Sequence, residues 1–219
     1  MKLLAVSDIE VPLLYSPMVV ERFHDVDLIL SCGDLPYFYI EYMVSMLNVP
    51  CYFVRGNHAS RKEFGVAGER KYPWGSVDLH NRCVEDDSGL LIAGLEGSLR
   101  YNNGPYQYTQ SQYWEMVLSL VPRLMINKLK LDRYLDVFIA HAPPWQVHDE
   151  KDLPHRGIKA FRWLIDVFKP AYFLHGHIHI YRQDTVTRSI VGATTVQNVY
   201  GYQTLSIPLP HKRSWQKKR

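Results

Sequence analysis

Cysteine is scarce in this sequence, with three residues among 219. The number is odd and the three lie far apart, so they do not form the framework of a small disulfide-rich secreted protein. Cys32 and Cys51 fall within or at the start of apolar runs, which predicts buried, reduced thiols. We therefore expect a cytoplasmic protein.

Long hydrophobic runs are also absent. No stretch approaches the roughly 18–20 apolar residues of a membrane span. Only a few apolar residues precede Asp8, too few for the core of a signal peptide. Since 47% of the residues are hydrophobic and the chain has 219 residues, it suits one globular domain with a proper core. We predict a single domain over residues 1–210 and no association with a membrane.

The small excess of positive charge lies at one end of the chain. The segment 211–219 holds five of the 25 Lys and Arg residues and none of the 22 acidic residues, so the rest of the chain carries 20 basic and 22 acidic side chains, a net charge of −2. Without a basic excess in the domain, nucleic acid is not the expected substrate. We predict a disordered basic tail over 211–219, with contact to RNA, DNA or anionic lipid as the alternative.

Short apolar runs bounded by glycine and proline predict buried strands. Five such runs occupy 2–7, 27–32, 51–55, 135–140 and 171–175. Helical periodicity predicts three helices, the second interrupted at Pro122, over 41–47, 112–131 and 157–168. Two antiparallel strands, 182–190 and 194–207, are predicted around a turn at Gly192. Strand–helix alternation followed by strands indicates an α/β fold of two packed sheets with helices outside.

Polar donors stand at the end of each of the five predicted strands. In chain order they are Asp8 and Glu10, Asp34, Asn57 and His58, His141, and His177 and His179. Ligands at the same end of successive strands converge on one crevice beyond the sheet. They are too many for one tetrahedral zinc, and no thiolate is among them. Mixed oxygen and nitrogen ligation favours two adjacent divalent ions, manganese, iron, zinc or a similar metal, which can hold a phosphate between them.

The order of these motifs resembles the calcineurin-like metallophosphoesterases over about residues 3–207. The family pattern Asp-x-His, Gly-Asp, Gly-Asn-His, His and Gly-His-x-His is matched by Asp8-x-Glu10, Gly33-Asp34, Gly56-Asn57-His58, His141 and Gly176-His177-x-His179. The resemblance implies a four-layer αββα sandwich of two mixed sheets flanked by helices. It also implies a dinuclear metal site at the strand ends and hydrolysis of a phosphate ester by a metal-bridging hydroxide, so no serine or cysteine nucleophile is expected.

The same resemblance assigns roles to single positions. One metal would be bound by Asp8, Glu10, Asp34 and His179. The other would be bound by Asp34, Asn57, His141 and His177, so that Asp34 bridges the two. His58 would be the catalytic imidazole, which protonates the leaving oxygen or stabilises the charge of the transition state.

The sequence departs from the family pattern at two positions. Glu10 stands where the family usually has histidine, and a carboxylate is a harder ligand that favours manganese, magnesium or iron(II) over softer metals. We therefore expect manganese, with iron, zinc or magnesium as alternatives. Ala59 stands where an acidic residue often follows the family's histidine, so His58 needs another partner or has a lower pKa.

Two loops are candidate substrate-binding surfaces. The segment 98–114 contains five aromatic residues, many amides and Arg100, so it could stack a base and contact a phosphate; a packed surface loop or a dimer contact are the alternatives, which leaves a homo-oligomer open. In the loop after Pro144, His155 and Arg156 could bind substrate phosphate, or the loop is simply solvated. Arg55 is expected in an ion pair away from the site, and His175 as a packed strand residue.

The expected function is metal-dependent hydrolysis of a small phosphate ester. The aromatic loop and the small domain favour a phosphodiester with a nucleotidic substrate. A phosphomonoesterase that acts on a phosphoprotein or small molecule is the alternative enzyme. A non-catalytic metal-binding scaffold of the same fold is the alternative from another class.

Overall fold

The computed structural model describes residues 1–65 and 68–208. The basic tail predicted over 211–219 lies outside these residues. The described elements, in chain order, are β1 (Lys2–Ser7), α1 (Met18–Phe23), β2 (Leu28–Ser31), α2 (Tyr37–Leu47), β3 (Cys51–Phe53), β4 (Glu63–Gly65), β5 (Gly68–Arg70), β6 (Ser76–Asp78), β7 (Arg82–Glu85), β8 (Leu91–Leu95), β9 (Ser98–Leu99), β10 (Gln107–Tyr108), α3 (Gln110–Leu131), β11 (Val137–Ala140), α4 (Lys159–Phe168), β12 (Tyr172–His175), β13 (Arg188–Val191), β14 (Thr194–Asn198) and β15 (Gly201–Ser206).

Two mixed sheets form the centre of the molecule. The first has five strands in the order β15-β1-β2-β3-β6, and the second has six in the order β13-β14-β12-β11-β8-β7. In the first sheet β1, β2, β3 and β6 run parallel and β15 is antiparallel at the edge. In the second, β14, β12, β11 and β8 run parallel, and β13 and β7 are antiparallel at the edges. In each sheet the carboxyl ends of the parallel strands therefore lie at the same edge.

Three buried clusters show that the layers are stacked helix, sheet, sheet, helix. The middle cluster joins the two sheets, with Leu3 and Leu30 from the first and Ile92 and Ile139 from the second. A second cluster packs α1 and α2 on the outer face of the first sheet, and a third packs α3 and α4 on the outer face of the second. Burial of apolar side chains on both faces of each sheet is what continuous apolar strands require. The predicted αββα sandwich is confirmed.

Proline does not interrupt α3, so the break predicted at Pro122 is wrong. The helix runs from Gln110 to Leu131, begins with a capping box in which Thr109 and Gln112 bond reciprocally, and contains Pro122. Pro122 is exposed, and so is Leu118 one turn before it. The carbonyl that loses its helical partner can therefore bond to water.

The predicted strand 194–207 is in fact two strands in different sheets. β14 pairs with β12 and β13 in the second sheet, whereas β15 pairs with β1 in the first. The chain crosses between the sheets just before Gly201, whose φ of 74° is a left-handed conformation that suits glycine. The turn between β13 and β14 is confirmed, although β13 begins only at Arg188. Among the described residues no helix is long and apolar enough to cross a membrane.

Candidate metal centre

The predicted metal ligands lie directly after parallel strands of both sheets. Asp8, Asp34 and Asn57 follow β1, β2 and β3, which are neighbours in the first sheet. His141 and His177 follow β11 and β12, which are neighbours in the second. The inter-sheet core therefore brings two rows of strand ends to one crevice, as the sequence predicts.

Tight turns aim these side chains into the crevice. Asp8, Asp34 and His177 have φ angles of 69°, 54° and 67°, a left-handed region that costs about 1–2 kcal/mol for a residue with a side chain. Two hydrogen bonds fix the turn that carries Asp8. The Asp8 N–H and the Ser7 hydroxyl both donate to the Gly33 carbonyl at 3.1 Å. A Cβ on Gly33 would lie 2.6 Å from the Gly56 nitrogen, so the two loops meet only because glycine is present. Such strain is typical of residues held for a function.

Asp8, Asp34 and His141 converge at the centre of the crevice. One ligand atom from each lies within 4.8 Å of the other two. His141 is fully buried, with Nε2 3.0 Å from Asp34 Oδ2 and 3.1 Å from Asn57 Oδ1, and Nδ1 2.9 Å from the Cys32 carbonyl. All three partner atoms are acceptor oxygens, which favours the doubly protonated, charged form of the ring. Burial disfavours this charge, but the adjacent Asp34 carboxylate raises the pKa of His141 to about 9.

The two carboxylates respond differently to the same crevice. Burial raises the pKa of Asp8, with the charge of Asp34 adding to the rise and His141 opposing it. Burial acts in the same sense on Asp34, but the His141 charge and hydrogen bonds from the His141 ring and the His58 N–H lower its pKa to about 2. Two buried carboxylates this close need compensating positive charge.

Asp8 also connects the first sheet to the Gly-His-x-His motif. Its carboxylate accepts the His177 backbone N–H at 3.0 and 3.1 Å. His179 Nε2 lies 3.8 Å from Asp8 Oδ1, while its Nδ1 is 2.9 Å from the Tyr181 hydroxyl. The His177 Nε2 lies 2.9 Å from the Pro154 carbonyl and therefore donates to it, so coordination by this ring requires Nδ1. Burial and the charge of His141 lower the pKa of His177 to about 3, which keeps the ring neutral as a ligand must be.

His58 lies at the exposed side of the centre. The His58 backbone N–H donates to Asp34 Oδ1 at 2.9 Å, and the residue is exposed. Among the described residues no hydrogen bond fixes its imidazole, in keeping with alanine at position 59. Glu10 is exposed as well and lies outside the group of side chains that converge with Asp8.

This donor set fits divalent metal ions. Asp8 and Asp34 offer buried carboxylate oxygens, Asn57 an amide oxygen, and His141 an imidazole in contact with both Asp34 and Asn57. Mixed oxygen and nitrogen donors suit manganese, iron or zinc.

Of the three predicted substrate-binding residues, the structure places one, His155, against a predicted ligand. The His155 ring is 5.2 Å from the His177 ring, and its Nδ1 is 2.7 Å from Asp152 Oδ2. Arg156 and Arg100 line a separate cavity between the beginnings of α3 and α4. Glu150, Asp152 and His155 form a second group of metal-ligand type, but it is largely exposed. Exposed acidic groups of this kind are common on protein surfaces.

Two residues behave as expected without joining the site. Arg55 pairs with Asp78 and Glu96 at 2.5 and 3.3 Å. His175 is fully buried and lies 2.9 Å from the His148 ring nitrogen. The three cysteines are free, and Cys32 and Cys51 are buried as predicted.

Sequence reasoning missed two side chains that support the ligands. Tyr101 accepts a hydrogen bond from Asn57 Nδ2 at 3.1 Å, which turns the amide oxygen toward His141. Ser7 fixes the turn that carries Asp8. The aromatic composition of the loop 98–114 points to a functional surface that includes Tyr101, but it predicts stacking on a base and not a hydrogen bond to a metal ligand. A serine before an aspartate carries no such signal.

Comparison with known proteins agrees with this architecture. A family model described as calcineurin-like phosphoesterase matches residues 1–181. One solved crystal structure is 17% identical, with a TM-score of 0.63 over 93% of this chain and 94% of its own. TT1561 of Thermus thermophilus is also 17% identical, with a TM-score of 0.61 over 91% of this chain and 89% of its own. GAP50, the anchor in the inner membrane complex of Plasmodium, is 11% identical, with a TM-score of 0.51 over 90% of this chain and 70% of its own.

At these identities the solved structures support the fold alone. No curated protein sequence matches the chain significantly. The family model covers most of the chain, including every strand end that carries a predicted ligand. The chain therefore belongs to the calcineurin-like phosphoesterases, hydrolases that act on phosphate esters.

Proposed function

We propose that this protein is a dinuclear metal-dependent phosphodiesterase that acts on small nucleotidic esters. The observation that carries the proposal is the convergence of Asp8, Asp34 and His141, whose ligand atoms lie within 4.8 Å of one another in a buried crevice. We assign one ion to Asp8, Glu10, Asp34 and His179, and the other to Asp34, Asn57, His141 and His177. The ions would supply Lewis-acid polarisation of the phosphoryl oxygens and activation of a water nucleophile.

The chain's own residues orient these ligands and handle a proton. The His177 backbone N–H holds the Asp8 carboxylate, and the His58 backbone N–H holds Asp34. The His58 imidazole is exposed at the mouth of the crevice, where it can donate a proton to the leaving oxygen or stabilise negative charge. The hard carboxylate of Glu10 supports manganese as the metal. Three unpaired cysteine thiols support a cytoplasmic location.

Two groups of rings beside the proposed ligands support a diester substrate. Tyr101 reaches Asn57 and His155 lies against His177. His179 contacts the rings of Tyr181 and Tyr200. A phosphodiester carries two organic groups on the scissile phosphate, so both groups of rings would be used. A monoester would use one of them.

A phosphomonoesterase is the alternative enzyme, because the same centre would accept either ester. A scaffold is the alternative from another class, because GAP50, of similar fold, is described as an anchor. A scaffold has no need of an exposed imidazole beside a buried carboxylate pair.

The test is hydrolysis of bis(4-nitrophenyl) phosphate and 4-nitrophenyl phosphate after metal removal and readdition of manganese, iron(II), magnesium or zinc. Asp34→Ala removes the carboxylate that contacts His141. Asp25→Ala is the matched control, because Asp25 is exposed and pairs with Lys2 at the opposite end of β1 from Asp8. We expect metal-restored activity in the wild type and in Asp25→Ala, its loss in Asp34→Ala, and preference for the diester.

Two outcomes would change the assignment. Preference for the monoester would make the protein a phosphomonoesterase. If neither ester turns over with any of the four metals while the protein remains folded, the scaffold takes precedence.

A further inference from the structure

A cavity of about 340 Å³ lies between the beginnings of α3 and α4. Its lining includes three cations and no carboxylate; the residues are Leu99, Arg100, Thr109, Gln110, Trp145, Leu153, Arg156 and Lys159. We call it the cationic pocket. Positive side chains on apolar walls are the composition of a site that binds an organic anion.

The three cations of this pocket have no acidic partner among residues 1–65 and 68–208. Arg100 donates to the Gln107 carbonyl at 3.2 Å and to the Gln112 amide oxygen at 3.3 Å. Arg156 donates to the Lys151 carbonyl at 3.3 Å. The Lys159 ammonium lies 5.1 Å from the centre of the Trp145 ring. Among the described residues, no carboxylate therefore forms an ion pair with any of these three groups.

Two guanidinium groups elsewhere in the protein are instead paired with carboxylates. Arg55 is paired with Asp78 and Glu96, and Arg70 with Glu41. In a domain whose net charge is slightly negative, three cations around one cavity with no carboxylate in its lining create a local positive potential. The pocket is therefore suited to an anion.

Hydrogen bonds between its walls hold the pocket open. The Gln110 side chain donates to the Gly157 carbonyl and accepts the Lys159 N–H, both at 3.0 Å. These bonds tie the start of α3 to the start of α4. The Gln107 carbonyl positions the Arg100 guanidinium on the other wall. The pocket is therefore formed before a ligand arrives, which lowers the cost of binding.

Two residues that line the pocket are followed in the chain by residues that contact proposed metal ligands. Arg100 precedes Tyr101, whose hydroxyl contacts Asn57. Leu153 precedes Pro154, whose carbonyl accepts from the His177 ring. A molecule with its phosphate at the centre would therefore extend along these residues into the pocket.

We propose that the cationic pocket binds a second phosphate group of the substrate, remote from the phosphate ester that is cleaved. Guanidinium groups match phosphate oxygens with paired hydrogen bonds. Trp145 and Leu153 contact the organic part between the two phosphates. The proposal rests on the proposed function and makes the substrate class narrower: phosphate esters that carry a further phosphate.

The test compares two chromogenic diesters that differ by one phosphate, the 5′-(4-nitrophenyl phosphate) ester of thymidine with and without a 3′-phosphate. We expect kcat/KM to be about 10-fold or more higher for the ester with the 3′-phosphate, which is the size of one hydrogen bond between charged groups. In Arg156→Gln and in Lys159→Gln this preference should fall toward one. Both side chains are exposed, so neither variant should unfold. Arg123→Gln removes an exposed cation elsewhere on α3 and should keep the wild-type ratio.

Calorimetric binding of thymidine 3′,5′-bisphosphate and thymidine 5′-phosphate to the full chain separates this proposal from the proposed function. If neither ester is hydrolysed, the proposed function fails, but tighter binding of the bisphosphate that Arg156→Gln weakens still supports the pocket. If the wild type turns over both esters equally, or binds both nucleotides equally, the pocket proposal is overturned.

Discussion

Removal of the Tyr101 hydroxyl should weaken metal binding without unfolding the protein. The hydroxyl accepts a hydrogen bond from Asn57 Nδ2 at 3.1 Å, and Asn57 Oδ1 lies 3.1 Å from His141 Nε2. The bond fixes which end of the amide faces the centre. Since a metal binds the amide oxygen and not its nitrogen, loss of the bond allows the amide to rotate out of the binding orientation.

The size of the effect follows from one neutral hydrogen bond. Such a bond contributes about 0.5–1.5 kcal/mol, which corresponds to about a 2- to 12-fold increase in the Kd for the metal. Tyr101→Phe keeps the ring and its packing, so the stability of the fold should change by less than the metal affinity. The matched control is Tyr106→Phe, because the Tyr106 ring lies near the Arg55 guanidinium and not at the centre.

The assay is calorimetric titration of manganese into metal-stripped protein, together with thermal unfolding of the same samples. We expect weaker manganese binding in Tyr101→Phe and wild-type binding in Tyr106→Phe. Equal affinities in the two variants would refute the reasoning. A large loss of stability in Tyr101→Phe would show instead that the hydroxyl supports the fold.

Three further predictions concern other parts of the site and the core. In Gly56→Ala the added Cβ would overlap the Asp34 carboxylate, so manganese affinity should fall by about tenfold or more, whereas Gly192→Ala, with open space around it, should bind normally. In Glu10→His, competition titrations should show a shift in preference from manganese toward zinc; an unchanged preference would place residue 10 outside the centre. Burial lowers the pKa of His148 to about 4 from the ordinary 6.5, so its contribution to stability is complete above pH 6.5 and is lost as the pH falls toward 4. Between pH 6.5 and 4, the free energy of unfolding measured with urea should therefore fall by about 1–2 kcal/mol less in His148→Gln than in the wild type, a figure that allows for screening by solvent. The same fall in both proteins would contradict a lowered pKa of His148.

The parts of the fold that could be predicted are those that depend on local pattern. The strands that carry the ligands are continuous apolar runs that end in a polar donor, and such a run is visible without knowledge of its partners. β8 was missed although all five of its residues are buried. A Cβ on Gly94 in this strand would lie 2.8 Å from the Val54 side chain and 3.0 Å from that of Ile139. Glycine is required there by close packing of the two sheets, yet in a sequence it weakens the evidence for a strand.

Long-range pairing was beyond the reach of the same patterns. The segment 194–207 has the composition of one strand, and only contact with β1 separates β15 from β14. Tyr101 and Asn57 are 44 positions apart, and no periodicity joins them. The left-handed conformations of Asp8 and His177 likewise depend on the loops that pack against them. The candidate ligands could therefore be predicted from the sequence, but the side chains and loops that hold them in place could not.

The glycines that precede the ligands explain why the motifs are recognisable at all. A Cβ on Gly33 would meet the Gly56 backbone and the His141 ring, one on Gly56 would overlap Asp34, and one on Gly176 would overlap Ser7 and Asp8. Each glycine thus leaves space for a ligand or for backbone from a different loop. A side chain at the glycine position would displace that ligand or loop. Substitution of a glycine should consequently damage a ligand that is distant in sequence, and Asp34 in Gly56→Ala is the most direct case. The short motifs are local in the chain, but the constraint that produces them comes from the meeting of the two sheets.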